Sequence, residues 1–456
     1  MLYSSSVVNP VANAAAVVAQ QLVAERFRRQ RRCTNRGSAP GRHFLKRLGR
    51  SVREVYQELG EVYFRRAYRM KFGTFQRLAS ILRPYIIAAS GKKHNSRNYL
   101  PNGRILPEVR LACVLRRFAG GSLYDIMTTY GIGHTDAIDS CWYVVDAINR
   151  HPHFKIAYPV DHNVQHAIAE GFRQVSSANF KCCAGAIDGI LIWIHKPSES
   201  DCIKSGCDSG KFYCCGRKKK FGLNCQQAVS DVRGRILDIS IVYPGSTSNC
   251  LAFEGMSLFQ KLEHGILAPG LCLFGDNAYL NTHYMATPYP AVSGGTKDAY
   301  NFYLSQLRIR IECTFGMFTH RWAILRSAIP LNVSIQKTVA LVLALAKLHN
   351  YCIDAHDSSV PPSTANDAWE NEVHGAVPLV QMQHSDSMDG GVTPQQLLDG
   401  GNHFDDVGGT HGRNIRQRRY NYMARTQDIA LPRDVLHSLV VSAGLTRPAL
   451  IQRVSR

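Results

Sequence analysis

The run CCAGAIDGILIWIH, residues 182 to 195, constrains this chain more than any other stretch. Its apolar residues continue on both sides of a single acid and read as a buried strand with Asp188 in the middle, where an unpaired carboxylate is costly to bury. A second stretch, GLCLFGDNAYL at 270 to 280, repeats the pattern: a short buried strand that ends on Asp276. Read alone, Asp276 is a turn residue between Gly275 and Asn277 that hydrogen-bonds its own backbone. The two acids share one explanation only if the fold carries them to the same place.

The elements between them supply such a fold. FGLNCQQAVSD (221 to 231) and GRILDISIVYPG (234 to 245) are strand-like and flank a turn at Asp231 to Gly234, so with the first strand they predict an antiparallel meander. NCLAFEGMSLFQKLEHG has helical spacing, and GLCLFG is the next strand. After a Pro-, Gly- and Ser-rich loop, NFYLSQLRIRIECTFGMFTHRWAIL (301 to 325) predicts a long amphipathic helix with Leu304, Leu307, Ile311, Phe315 and Phe318 on one face. The order β-β-β-α-β-α is the skeleton of an α/β, ribonuclease H-like catalytic domain with a mixed sheet, here spanning 178–353. First and fourth strands are neighbours in such a sheet, which sets Asp188 beside Asp276. Glu312 lies on the long helix across the same edge, with Arg308 four residues before it as an ion-pair partner. Carboxylates crowded together require neutralisation, and Mg2+ favours a few carboxylate oxygens plus water and phosphate. Two such ions can clamp both oxygens of a phosphoryl displacement.

Upstream, 46–155 has helical periodicity throughout. SLYDIMTTYGIGHTDAIDSCWYVVDAI (122 to 148) reads as helix, tight turn and helix, with Ser122 capping the first and Thr135 or His134 opening the second. This helix-turn-helix-like region is equally compatible with a plain αα-hairpin. Its second helix carries Asp136 and Asp139 and no basic residue before Arg150, which argues against strong groove reading. Residues 1–45 read as a basic flexible arm whose RFRRQRRCTNR run suits nuclear localisation or DNA contact. Residues 355–456 read as a largely disordered tail with a basic helical segment, RNIRQRRYNYMART, before a short amphipathic end.

Charge names the partner class. Lys and Arg outnumber Asp and Glu by 54 to 34, a net +20 in 456 residues, and an excess of that size favours a polyanion through counterion release. Part of it clusters in GRKKK at 216 to 220. No apolar run is long enough to span a bilayer; TVALVLALAKLHNYCI (338 to 353) is broken by Lys347, His349 and Asn350 and reads as a buried helix. The N-terminal VVNPVANAAAVVAQQLVAE lacks a basic lead, so a location inside the cell is expected. The 14 cysteines form no compact framework, and Cys202, Cys207, Cys214 and Cys215 lack the C-x2-C spacing of a zinc site. Reduced thiols are expected.

The motifs AIDG (186 to 189), GRKKKFGLNCQQAVSD (216 to 231), YPGSTSNCLAFEGMSLF (243 to 259), GDNAY (275 to 279), PY (288 to 289), the 301 to 325 helix and LHNYC (348 to 352) resemble, as a set, PIF/Harbinger-type transposases and the domesticated nuclease related to them. These belong to the DDE transposase superfamily. The resemblance covers 180 to 353 well and the helical region before it more loosely. It implies Asp188, Asp276 and Glu312 as the catalytic triad, holding divalent metal, Mg2+ with Mn2+ as the alternative. Family members often carry a further acid in the PGS segment; here the position is Asn249, a metal ligand without charge. The resemblance implies phosphodiester cleavage at transposon ends and joining to target DNA. Lys218, Lys219, Lys220, Arg308 and Arg310 would bind backbone phosphates. It also implies DNA as substrate, a Myb-like DNA-binding partner, a homo-oligomer, no membrane, and the nucleus, with the cytoplasm as a second location. The alternative is a domesticated, catalytically impaired copy that acts as a DNA- or protein-binding factor.

Overall fold

A computed structural model describes residues 50–94, 105–229, 233–329, 333–355, 417–418, 421 and 430–448. The basic arm at 1–45 and most of the basic stretch at 413–426 lie outside the described residues.

The described residues begin with five helices, α1 (Val52–Tyr68), α2 (Phe72–His94), α3 (Pro107–Phe118), α4 (Leu123–Tyr130) and α5 (His134–Arg150). Ser51 starts α1 through a capping box with Glu54, which satisfies two backbone N–H groups that a helix start leaves open. The expected helix, turn and helix is present: the Ser122 side chain accepts from the Asp125 N–H, and Gly131 closes α4 in the left-handed conformation at φ 63°. On α5 only His134, Thr135 and Arg150 are exposed. The rest of it packs against α2, α3, α4 and the later helix α11 (Ile335–Asp354), so this helix is the core of its own bundle.

A further helix, α6 (His162–Gln174), follows in a stretch whose sequence pattern suggested nothing. Its Gln165 is fully buried, donating to Pro159 O and Ile266 O and accepting from the Ala268 N–H. Then comes the sheet: β1 (Cys183–Trp193), the short β2 (Cys214–Cys215), β3 (Lys220–Val229), β4 (Ile236–Pro244), β5 (Cys272–Phe274) and β6 (Met285–Ala286). Strands β1, β3 and β4 form the expected antiparallel meander. β5 lies parallel to β1 on its other side, with Ala186 opposite Phe274, and β6 is parallel to β5. The order across the sheet is β4-β3-β1-β5-β6, with β2 pairing the start of β3.

Among the described residues, further α-helices are α7 (Glu199–Lys204), α8 (Asn249–Glu254), α9 (Ser257–Glu263), α10 (Gly295–Arg321), α11 and α12 (Pro432–Ser442). The single helix expected after β4 is two, with Gly255 as the C-cap of α8, a position where the Tyr243 ring leaves no room for a side chain. The long helix α10 begins earlier than its apolar pattern indicates and buries Leu304, Leu307, Ile311, Phe315 and Phe318 as expected. α12 packs on α10 through Leu436 and Val440, and Arg447 pairs with Asp298 at 2.9 Å, so residues 430–448 are part of the folded body.

Two apolar clusters hold these layers. One joins α1 to α5 and α11 to the far end of β1, including Ile192, Trp322 and Leu345. The other packs α6, α8, α9, α10 and α12 on the near end of β1 and on β5, including Ile187, Phe274 and Leu307.

The LHNYC motif ties α11 to the sheet. Asn350 accepts from the Ile236 N–H at 2.9 Å and donates to Ile236 O at 2.7 Å. His349, fully buried, meets Gly234 O through Nε2 at 3.1 Å. Burial, with Arg321 adding repulsion, pushes the His349 imidazole down to about 3. An unfolded histidine titrates near 6.5, so between these values the unfolded chain binds more protons and stability is lost as the pH is lowered. Acid denaturation should therefore lose a few kcal/mol, on the order of 4, between about pH 6.5 and pH 3. His349→Gln should flatten that part of the stability profile in urea titrations; an unchanged slope would remove this histidine from the account.

Candidate active site

Strand β1 is fully buried from Cys183 to Ile187 and becomes half-buried at Asp188. The parallel register sets Ala186 against Phe274, so Asp188 and Asp276, each two residues further on, stand level where β5 has ended. The two carboxylates sense each other: burial first, then repulsion from Asp276, pushes Asp188 up to about 6, with Glu312 adding to the shift. The Gly189 N–H, at 2.7 Å from Oδ1, and Arg308 work against it.

Asp276 also makes the local bond its sequence suggested, accepting from the Ala278 N–H at 2.9 Å. That bond uses one carboxylate oxygen to set the turn, so the structural and the functional readings coexist.

Glu312 comes in on α10. Its carboxylate is half exposed and pairs with Arg308 Nη1 at 2.7 Å, one turn earlier, as the i,i+4 spacing predicts. The same Nη1 lies 3.9 Å from Asp188 Oδ2. Burial alone would lower the Arg308 pKa, but Glu312, Asp188 and Asp276 outweigh it and hold the guanidinium above its ordinary value. Arg308 is thus the cation that neutralises the acids, rather than an outward phosphate contact. Arg310, two residues on and therefore about 200° round the helix, leaves its Nε buried without a hydrogen-bond partner.

Asn249 is the first residue of α8, and its Nδ2 donates to Asp188 Oδ1 at 3.1 Å. Its Oδ1 accepts from Asn224 Nδ2 at 3.3 Å, and the same Nδ2 donates to Thr247 O at 2.8 Å. The amide therefore offers its nitrogen to the acid pair and turns its oxygen away. Asn224 went unnoticed in the sequence; its position on the inward face of β3, opposite Leu191, is the signal that could have found it. Gly222 and Gly245 let these segments close up. A Cβ on Gly222 would come within 2.6 Å of the Leu191 side chain, and one on Gly245 within 2.8 Å of Gly222 O.

Lys218, Lys219 and Lys220 are exposed on the hairpin that joins β2 to β3. Lys219 takes the left-handed conformation at φ 52° that tightens the turn. Lys220 Nζ lies 3.3 Å from the centroid of the Trp193 ring, a cation–π contact that ties the hairpin to the end of β1. None of the described cysteines is joined in a disulfide, and that includes Cys202, Cys207, Cys214 and Cys215. Among the described residues no group of three or more His, Cys, Asp or Glu converges closely enough to hold a metal ion.

Residues 187–350 match the family described as DDE superfamily endonuclease, a span that holds Asp188, Asn249, Asp276 and Glu312. This chain carries a DDE superfamily endonuclease domain. The chain is 24% identical over 290 residues to HARBI1 of Bos taurus, a protein named as a candidate nuclease, covering 62% of this chain and 76% of the relative. HARBI1 of Mus musculus is 25% identical over the same length, with the same coverage. A protein named ALP1-like from Arabidopsis thaliana is 22% identical over 312 residues, 65% of this chain and 72% of the relative. No solved structure matches. Among the described residues no helix is long and apolar enough to cross a membrane.

The donor set of Asp188, Asp276 and Glu312 is all oxygen, and DDE superfamily nucleases generally use divalent metals. Asp188 and Asp276 fit a hard cation: a mostly buried carboxylate held up to about 6 by burial and its neighbour lacks positive charge. Glu312 fits only if it exchanges its bond with Arg308.

Proposed function

We propose that this protein is a divalent-metal-dependent DNA endonuclease of the transposase type, cleaving phosphodiesters at transposon ends and joining those ends to target DNA. The observation that supports the reading is that Asp188 and Glu312 both face Arg308, at 3.9 and 2.7 Å, with Asp276 near enough to push the Asp188 carboxyl up. The strand order β4-β3-β1-β5-β6 supports a ribonuclease H-like description of the domain. Asp188 and Asp276 would hold Mg2+ or Mn2+, which when bound supplies the Lewis acidity that polarises a phosphodiester. Asn249 orients Asp188 by donating to one of its oxygens, leaving the other toward Arg308. Arg308 keeps Glu312 at the rim and stabilises the negative charge gathered there. The exposed lysines of the β2–β3 hairpin supply backbone-phosphate contacts, which position DNA without reading sequence. A nuclear location, a homo-oligomer and a Myb-like partner that reads the DNA complete the proposal, since the buried α5 offers few exposed side chains for base contact.

A second reading rests on Asn249, an uncharged side chain that presents its nitrogen to Asp188: a DNA-binding factor with weakened chemistry. Titration of the full chain with Mn2+, followed by electron paramagnetic resonance, separates the two. One site that disappears in Asp276→Asn supports the nuclease; no site in the wild type supports the binding factor. Asn249→Asp sharpens the test. The added charge should raise Mn2+ affinity roughly tenfold, in line with the gain from an extra anionic ligand. Without metal it should cost about 1–2 kcal/mol, because it replaces a donor to Asp188 with a like charge. A variant with unchanged metal affinity would show that this position is not directed at the cation.

A further inference from the structure

Away from the acids, where the helical bundle meets the end of α10, guanidinium groups collect. Arg69 caps α1 in the left-handed conformation at φ 62°, and its Nη2 reaches Ala119 O at 3.5 Å. Its Nε is buried without a hydrogen-bond partner. Arg321 comes in from the end of α10, its Nη1 donating to Arg69 O at 3.2 Å. Arg326 follows on the short turn after α10, bonded to Thr319 O at 3.3 Å and to His320 Nδ1 at 2.7 Å. Arg116, on α3, pairs with Asp125 at 3.1 Å. Between them Trp322 is 0% exposed, and its indole N–H has no hydrogen-bond partner. Burial, then Arg326, Arg116 and Arg321 in turn, lower the Arg69 pKa. Among the described residues, neither Arg69 nor Arg326 meets a carboxylate.

Like charges gathered at a partly buried junction destabilise the fold unless an anion joins them. A buried donor left unsatisfied adds to that cost. A guanidinium fork matches phosphate in geometry as well as charge. We infer that Arg69, Arg116 and Arg326 form a second phosphate-binding site, which takes the backbone of a DNA strand at the junction of the helical bundle and the endonuclease domain. This site deepens the nuclease reading and rests on it for the identity of its ligand. A phosphate there is held by both the bundle and the sheet domain, which gives the helical region a role in DNA binding that needs no recognition helix.

The test uses the full chain, wild type and Arg69→Gln/Arg326→Gln, with a random-sequence duplex followed by fluorescence anisotropy over a salt series. Each phosphate contact contributes about 0.9 to the slope of log affinity against log salt. The double variant should lose about 1 to 2 from that slope and bind at least roughly tenfold more weakly at low salt. Thermal melts supply the control. Relief of repulsion should leave the variant melting at or above the wild type, and inorganic phosphate should raise the wild-type Tm more than chloride at matched ionic strength, an effect absent in the variant. Equal slopes overturn the site as a DNA contact, and equal slopes with a phosphate-dependent Tm assign it to free phosphate instead. A variant that melts several degrees lower makes the arginines structural and overturns the proposal. Cleavage with equal slopes leaves the nuclease standing without this site; a slope difference without cleavage supports the site and counts against the nuclease.

Discussion

Asp188→Asn is expected to lose metal-dependent strand cleavage by about 10³-fold or more, the several kcal/mol that a correctly held cation contributes, and yet to be more stable than the wild type near neutral pH. Burial and the neighbouring Asp276 push the Asp188 carboxyl from 3.8 up to about 6. A carboxyl raised in the folded state binds its proton more tightly there than in the unfolded chain. Its contribution is therefore favourable below about pH 4 and is lost as pH rises through about 6. By pH 7 the ionised group costs the metal-free protein about 3 kcal/mol at most, two pK units at roughly 1.4 kcal/mol each. Asparagine has no such charge, accepts equally well from the Gly189 N–H, and can keep a bond to Asn249. Urea denaturation at several pH values checks this. The stability gained by the variant should be large near pH 7, vanish below about pH 4, and shrink when Mg2+ is added to the wild type. A variant less stable than the wild type at neutral pH would mean that Asp188 is structural.

The largest purely structural effect is expected at Asn350. Strand β4 is the edge of the sheet, with only β3 beside it, so the outward backbone groups at its start need partners. Asn350, 4% exposed, bonds both the N–H and the C=O of Ile236, itself 0% exposed. Asn350→Ala strands both groups away from water. At about 1–3 kcal/mol for each unsatisfied group, the expected loss is about 2–6 kcal/mol. The melting transition should fall accordingly, and hydrogen exchange at the start of β4 should accelerate before the rest of the sheet. A loss below about 1 kcal/mol would mean that water or a shifted backbone replaces both bonds.

The local pattern revealed the acids and the frame that carries them. Asp188 was legible because an acid inside an apolar strand breaks a period that nothing else breaks, and the Arg308–Glu312 pair because four residues make one helical turn. The buried face of α10 was legible for the same reason. Other features depend on contacts between distant segments. The orientation of Asn249, at the start of α8, is set by Asn224, 25 residues earlier on β3. The need for glycine at 255, between α8 and α9, comes from Tyr243 packed against it, which no local rule anticipates. His349 and Asn350 interrupted an apolar run and read as breaks in a buried helix; their partners on β4, more than 100 residues away, show why polar groups are kept there. The arginine junction unites residues 69, 116 and 326, and no window of sequence contains it.

The most direct test of the nuclease account is strand cleavage. Full-length wild type and Asp276→Asn would be incubated with a supercoiled plasmid carrying transposon ends, in Mg2+ and in Mn2+, with a Myb-like DNA-binding partner supplied. Nicking by the wild type in the presence of metal, lost in Asp276→Asn while DNA binding and melting temperature are retained, is the expected result. Equal nicking by both proteins, or none by a wild type that binds the DNA, would contradict the assignment of these acids to phosphodiester chemistry.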